Sequence, residues 1–163
     1  MKNVKILSCV KILLLTLFAL TIFILVLTLR IPAIFRPTVI QMRYGFTIPI
    51  PIIFLFCLLI LSKDKWINAA TFFIFVVLIF AMALGGVWAS GQTEGQVISG
   101  ILPDTDAAFY YYDALRYING FRFSYFGARR IFFSAFLGIP LVISKGNLQI
   151  TLGVITFLLA VAC

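Results

Sequence analysis

The chain has 163 residues, of which 63% are hydrophobic and 11% are charged. A soluble domain carries charge on about a quarter of its residues, so this composition excludes an ordinary soluble globule and indicates an integral membrane protein. The net charge of +8 does not indicate nucleic-acid binding, because the basic residues stand mostly at the ends of apolar runs, where they reach membrane headgroups. The absence of histidine excludes His-based triads and histidine metal sites.

Five apolar runs predict an all-α, polytopic membrane fold. The first follows a basic start and nearly matches the hydrocarbon core in length, and no small-residue cleavage site follows it, which disfavours a signal peptide. The prolines and arginines of residues 30–44 predict a loop. The predicted spans are about 12–29, 46–61, 66–88, 131–144 and 148–163.

The third run is bracketed by Trp66 and Trp88, about 33 Å apart along a helix, which places both indoles at membrane interfaces. Small residues near its far end predict close approach of a neighbouring helix: Ala81, Ala83, Gly85 and Gly86. The last run stops at Cys163 without a polar flank, an ending that fits a natural membrane protein and equally a fragment or an interrupted reading frame.

The orientation is not decided by charge alone. With the N-terminus cytoplasmic, six lysines fall inside and seven arginines fall outside. A lysine-bearing N-terminus usually stays inside, and long polar segments cross the membrane with little regard to charge. We therefore expect a plasma-membrane protein with a cytoplasmic N-terminus and an external loop at residues 89–130.

The external loop contains one predicted helix. Pro103 to Asp106 has the composition of a helix start and Asn119-Gly120 that of a stop. Within the helix, Asp106 and Asp113 share a face, and Arg116 lies within pairing reach of Asp113. The opposite stripe is apolar and aromatic, which predicts a helix lying along the outer membrane surface.

A resemblance to a known family starts from these residues. An acidic pair precedes the pattern Asp-x-x-Phe-Tyr-Tyr-Tyr-x-Ala-x-x-Tyr-x-x-Gly from Asp106 to Gly120, and an Arg-Arg pair and an apolar run follow it. This arrangement, over about residues 66–138, resembles the first external loop of the GT-C membrane glycosyltransferases, which include protein mannosyltransferases and lipid A aminoarabinose transferases. The family often has a proline after its arginines, where this chain has Ile131.

The resemblance implies that an acid at the membrane surface activates an acceptor or helps to hold a divalent metal, facing a sugar donor linked to a lipid phosphate. That catalytic role falls on Asp106 or Asp104, and donor binding on four residues of the loop: Arg129, Arg130, Tyr110 and Tyr111. The residues assign no metal ligand set, and the sugar and the lipid carrier stay open.

Simple chemistry supports such roles, since transfer needs a base for a hydroxyl and positive charge for a departing phosphate. Simpler roles remain open beside them: Asp104 as a helix cap, Asp106 as a partner of the helix dipole, and the arginines and tyrosines as headgroup contacts. The alternative function is a small structural or assembly membrane protein that contacts a protein partner without catalysis. A transporter is disfavoured because no span carries a charge in its middle.

Overall fold

The computed structural model describes residues 2–29, 33–43, 45, 47–61, 63–91, 97–99 and 101–163. The all-α class is confirmed for these residues, which contain seven α-helices and a two-residue hairpin in which Val97 pairs with Pro103. The strands are β1 (Val97–Ile98) and β2 (Leu102–Pro103), and the helices are α1 (Lys2–Thr28), α2 (Arg36–Arg43), α3 (Pro49–Leu61), α4 (Lys65–Ser90), α5 (Thr105–Ile118), α6 (Ile131–Ile143) and α7 (Leu148–Ala162).

Two helices are long and apolar enough to cross a membrane. They are α4 and the Cys9–Thr28 part of α1, with 26 and 20 residues. The other three predicted spans also form helices, but α3 and α6 have 13 residues and α7 has 15. At 1.5 Å per residue these helices cover roughly 20–22 Å, against about 30 Å for a hydrocarbon core.

The expected loop over residues 30–44 is wrong for its described part. A 3₁₀ turn (Ala33–Phe35) leads directly into α2. Pro37 is the second residue of this helix, and proline is tolerated in a first turn because the amide hydrogen it lacks has no intrahelical acceptor there. Arg30, Pro32 and Tyr44 lie outside the described residues, as do residues 92–96 and 100 of the predicted external loop.

The chain divides into two compact units, and the first comprises Met1–Gly86 with Phe157–Cys163. Its apolar core contains Ala19, Phe23, Val77, Ala81 and Ala160. The Phe23 and Phe157 rings meet edge to face at 5.4 Å. The predicted role of the small-residue patch is confirmed at Gly86, where an added Cβ would lie 2.8 Å from Cγ1 of Val39 in α2.

The second unit is Val87–Thr156, in which α5 packs on α6. Its apolar core contains Ala114, Leu137 and Leu141. The predicted limits of the loop helix are confirmed, because α5 begins one residue after Asp104 and ends before Asn119. Gly120 has a φ of +78°, and the next amide donates to the carbonyl of Arg116 at 2.8 Å, so the helix closes with a Schellman motif.

Candidate functional site

One stripe of α5 faces the segment from Phe121 to Arg130, which runs back along the helix. Four stripe residues follow one another at helical spacing: Asp106, Tyr110, Asp113 and Tyr117. Near the end of the helix, Tyr117 stacks on Phe123. In the middle, Asp113 accepts a hydrogen bond from Ser124. Near the start, Tyr110 contacts Phe126 and Arg130. The predicted shared face of Asp106 and Asp113 is thereby confirmed, and it is the face on which the return segment lies.

Two of the predicted site residues, Tyr110 and Arg130, meet near the start of α5, and Asp106 lies one turn earlier on the same face of the helix. Nη1 of Arg130 donates a hydrogen bond of 2.6 Å to the hydroxyl oxygen of Tyr110, one turn after Asp106. This bond to Tyr110, with a smaller electrostatic contribution from Asp106, raises the pKa of the Arg130 guanidinium above its usual value. Arg130 is therefore a permanent cation, and Asp106 is close enough to act on it electrostatically.

Aromatic rings hold this group of side chains in place. The Tyr110 ring meets Phe126 at 5.2 Å and Phe133 at 4.9 Å, both edge to face. The guanidinium of Arg130 lies 5.6 Å from the centroid of Phe126, within cation–π range. Because the Tyr110 hydroxyl accepts from Arg130, its own hydrogen stays available for donation to an oxygen above the ring.

The centre of the stripe is a buried polar lock formed by Asp113, Ser124 and Gly127, which we call the Asp113 lock. Asp113 is 0% exposed, and its two carboxylate oxygens accept bonds of 2.7 Å from the amide and the hydroxyl of Ser124. A Cβ on Gly127 would lie 2.0 Å from Oδ2 of Asp113. Only glycine fits at this position, and the lock sets the distance between α5 and the segment that carries Arg130.

The predicted pairing of Asp113 with Arg116 is wrong. The carboxylate is turned toward Ser124, whereas Arg116 donates from Nε to the carbonyl of Arg122 at 2.8 Å and from Nη1 to the Tyr112 hydroxyl at 3.2 Å. Spacing along one helix gave the wrong partner because the return segment offers Asp113 two donors that do not depend on a long flexible side chain.

The start of α5 carries backbone strain between the two candidate acids. Thr105 has a φ of +48°, a left-handed conformation that is rare and costly for a β-branched residue. Asp104 occupies the N-cap position, but its side chain makes no capping hydrogen bond. Asp104 therefore occupies the predicted cap position, but its carboxylate accepts no hydrogen bond from the first turn of the helix.

Two other predicted donor-binding residues have different surroundings. Arg129 hydrogen-bonds the hydroxyl of Tyr125 and stacks over its ring at 4.5 Å. Tyr111 packs against the core cluster around Leu141. The partners of these two residues differ from those of Arg130, so the structure brings together Tyr110 and Arg130, one turn from Asp106, and not the full predicted set.

Sequence reasoning missed three residues of the site: Ser124, Phe126 and Gly127. Phe126 contacts Tyr110, Phe109 and Arg130 at once, yet it is one of eighteen phenylalanines and has no local signature. A signal for Gly127 does exist in the printed sequence. A glycine flanked by arginines and aromatics, seven residues after the helix-closing Gly120, indicates a position where the backbone approaches another element closely.

The donor set does not favour a metal site. Among the described residues, no group of three or more Asp, Glu, Cys or His side chains is arranged to hold a metal ion. Asp104 and Asp106 are the two carboxylates at the start of α5.

Comparison of the chain with protein-family models, with curated proteins and with solved structures finds no match.

Proposed function

We propose that the chain is a polytopic membrane protein and forms the donor-facing N-terminal portion of a GT-C-type glycosyltransferase. Such an enzyme moves a sugar from a polyprenyl-phosphate-type donor to an acceptor on the outer face of the plasma membrane. The observation that carries this proposal is the hydrogen bond between Arg130 and Tyr110, which places a cation and a hydroxyl one turn from the acid Asp106. The resemblance of residues 66–138 to the family's first external loop supports it.

In the proposed reaction, a hydroxyl oxygen of the acceptor attacks the anomeric carbon of the sugar, and a new glycosidic carbon–oxygen bond forms. The bond between that carbon and the phosphate oxygen breaks, and the lipid phosphate leaves with its electron pair. The Asp106 carboxylate takes the hydroxyl proton. Arg130 and the Tyr110 hydroxyl stabilise the charge on the departing phosphate, a task that suits a guanidinium.

The two long apolar helices support the membrane placement, although three shorter helices do not reach spanning length. To cross the membrane, the short helices would have to lie nearly parallel to the bilayer normal in a locally thinned bilayer. Otherwise they would enter the bilayer from one side without crossing it. Exposed apolar side chains on α1 agree with a lipid-facing surface, for example Leu13, Leu14 and Phe18. The N-terminus lies in the cytoplasm in this proposal, and residues 89–130 lie outside.

Donor binding by the chain itself is the first test. Purified protein in nanodiscs is titrated with a fluorescent polyprenyl phosphate, and Arg130→Gln is compared with Arg130→Lys and with Lys63→Gln, an exposed charge outside the second unit. We expect Arg130→Gln to weaken binding about tenfold, with partial recovery in the lysine variant and no change in the control. Equal affinity in all four proteins would overturn the donor site.

The catalytic acid is tested in membranes that express the natural gene product. Release of polyprenyl phosphate from a panel of labelled lipid-linked hexoses is measured for Asp106→Asn and, separately, for Asp104→Asn. We expect the first substitution to abolish release while donor binding persists, and the second to have the smaller effect. Full turnover with Asp106→Asn would remove the transferase proposal.

A second candidate function is an assembly protein that docks a protein partner on the second unit. The observation that favours it is aromatic exposure on this unit, with Phe132 84% and Tyr125 78% exposed. Substitution of Phe132 by serine distinguishes the two functions. Loss of a co-purifying partner with unchanged donor binding supports the assembly protein, and the reverse pattern supports the transferase.

A further inference from the structure

The far end of α5 carries a second arginine–aromatic surface, which we call the Arg116 surface. It consists of Arg116, Tyr112, Phe121 and Arg122. The Arg116 guanidinium lies 5.5 Å from the centroid of Tyr112 and 5.9 Å from that of Phe121, within cation–π range of both rings. Its bonds to the Arg122 carbonyl and the Tyr112 hydroxyl hold it in this position.

The charge of this surface is not neutralised within the described part of the chain. The two bonds of Arg116 go to a carbonyl and a phenol, neither of which carries a charge at neutral pH. The nearest acid along α5, Asp113, has both oxygens bound by Ser124. No described residue accepts from Nη2 of Arg116, and Arg122 is exposed. Arg116 is half-buried and Arg122 is exposed, so neither cation has an acidic partner among the described residues.

The same surface is strongly apolar between its charges. Tyr112 is 53% exposed and Phe121 is 64% exposed. An exposed ring next to an arginine suits the headgroup layer of a bilayer, where the ring enters the acyl boundary and the cation meets phosphate. The start of α5 differs in this respect, because Arg130 there is close to Asp106.

We propose that the Arg116 surface binds the phosphate group of an anionic phospholipid, separately from the donor site at Asp106 and Arg130. This inference rests on the membrane placement of the proposed function and not on its catalytic step. Arg116 and Arg122 contact the phosphate oxygens, and the rings of Tyr112 and Phe121 lie at the level of the headgroups. The lipid thereby anchors the C-terminal end of α5 at the bilayer surface.

The test uses the full chain in phosphatidylcholine nanodiscs with spin-labelled phosphatidylglycerol or spin-labelled phosphatidylcholine. The fraction of motionally restricted label reports the preference of the protein for the anionic lipid. We expect a clear preference in the parent protein and a roughly tenfold fall in relative affinity for Arg116→Gln/Arg122→Gln. A charge-matched control, Lys63→Gln/Lys145→Gln, removes two exposed cations elsewhere and is expected to keep the preference.

Further variants keep the test decisive. Arg122→Gln alone changes a side chain that makes no hydrogen bond to the described residues. We expect this variant to lower the relative affinity for the anionic lipid by less than the double variant does, and this loss involves no disruption of the hydrogen bonds of Arg116. Asp106→Asn is expected to keep lipid preference, which separates this inference from the transferase proposal.

Three results would overturn the lipid site. The first is an unchanged preference for the anionic lipid in the double arginine variant. The second is an equal loss of that preference in the lysine control. The third is displacement of the labelled lipid by inorganic phosphate but not by chloride at the same ionic strength. The last result would identify a site for soluble phosphate.

Discussion

The two units of this chain are stabilised by different means. Among the described residues, the fully buried side chains of the first unit are apolar, and α2 approaches α4 closely at Gly86. The second unit contains a fully buried carboxylate, three arginines on aromatic rings and a hydroxyl pair between Ser144 and Thr151 at 2.8 Å. In the proposed membrane placement, lipid tails are as apolar as leucine, so close packing of small residues is the main means by which the helices of the first unit associate. The second unit uses directional polar bonds, which fix one arrangement of a loop on a helix.

The largest expected effect is that of Gly127→Ala. The added Cβ would lie 2.0 Å from Oδ2 of Asp113, so the carboxylate must move and lose its bonds to Ser124. We expect a loss of about 3 kcal/mol in the free energy of unfolding, from the clash and from bonds to a charged group. Chemical unfolding in detergent micelles, followed by circular dichroism, measures it. The neighbouring Ala128→Ser is the control, and equal stability of both variants would contradict the Asp113 lock.

Ser124→Ala tests the same lock without a steric clash. It removes the hydroxyl that donates to Asp113 at 2.7 Å and leaves one buried oxygen with fewer donors. We expect a loss of roughly 2 kcal/mol, with recovery in Ser124→Thr. Hydrogen exchange of residues 121–127 should accelerate while that of α1 does not. Faster exchange in both units would mean that the two are not stabilised independently.

Gly86→Ala examines the first unit. Besides Val39 Cγ1 at 2.8 Å, the new Cβ meets the carbonyl carbon and oxygen of Val39 at 3.1 Å. We expect a loss of about 1.5 kcal/mol, because α2 must move away by a few tenths of an ångström. Val39→Ala removes only the side-chain clash, so the double variant should recover part of the loss in a thermal melt. Full recovery would show that the backbones are not in close contact.

Thr105→Gly is expected to stabilise the second unit. Glycine adopts a φ near +48° without the strain of a β-branched residue, which favours the folded state by about 1 kcal/mol. If this strain serves to hold Asp104 and Asp106, release of polyprenyl phosphate should fall in the more stable variant. Lower stability in the melt would contradict a left-handed Thr105.

The smallest expected effect is that of Tyr110→Phe on the pH dependence of stability. The folded-state pKa of Arg130 is raised, chiefly through its hydrogen bond with Tyr110. The contribution of this bond to the free energy of unfolding is therefore complete below the unfolded-state pKa. It is lost only as the pH rises through the folded-state pKa. The parent and the variant should therefore differ by the same small amount from roughly pH 6 to roughly pH 9. A difference that grows within this range would contradict a permanently charged Arg130.

Residue patterns predicted the helices better than their contacts. Hydrophobic runs and turn residues located α1, α4 and α5, and the acids of α5 were placed correctly on one face. The partner of Asp113 was not, because Ser124 approaches it from a segment that follows the end of the helix. Intrahelical spacing is visible in a sequence, whereas the return path of a loop depends on Gly120 and Gly127 together.

The tyrosine run shows the same limit within a few residues. Tyr110, Tyr111 and Tyr112 are neighbours in the sequence and were expected to form one interfacial belt. On a helix with 3.6 residues per turn they point about 100° apart. Tyr110 and Tyr111 both pack against the core around Leu141, but only Tyr110 binds Arg130, whereas Tyr112 binds Arg116. Three similar neighbours therefore differ in the polar partners that they bind.

In the proposed membrane placement, the 13-residue length of α6 has a consequence for the lipid beside it. A helix of roughly 20 Å, with the charged Arg130 directly before it and Lys145 shortly after it, is shorter than a hydrocarbon layer of about 30 Å. A bilayer around such a helix becomes locally thinner, and hydrophobic mismatch costs a fraction of a kcal/mol per ångström. Under the proposed function, this thinning shortens the path by which a lipid-linked donor reaches Arg130.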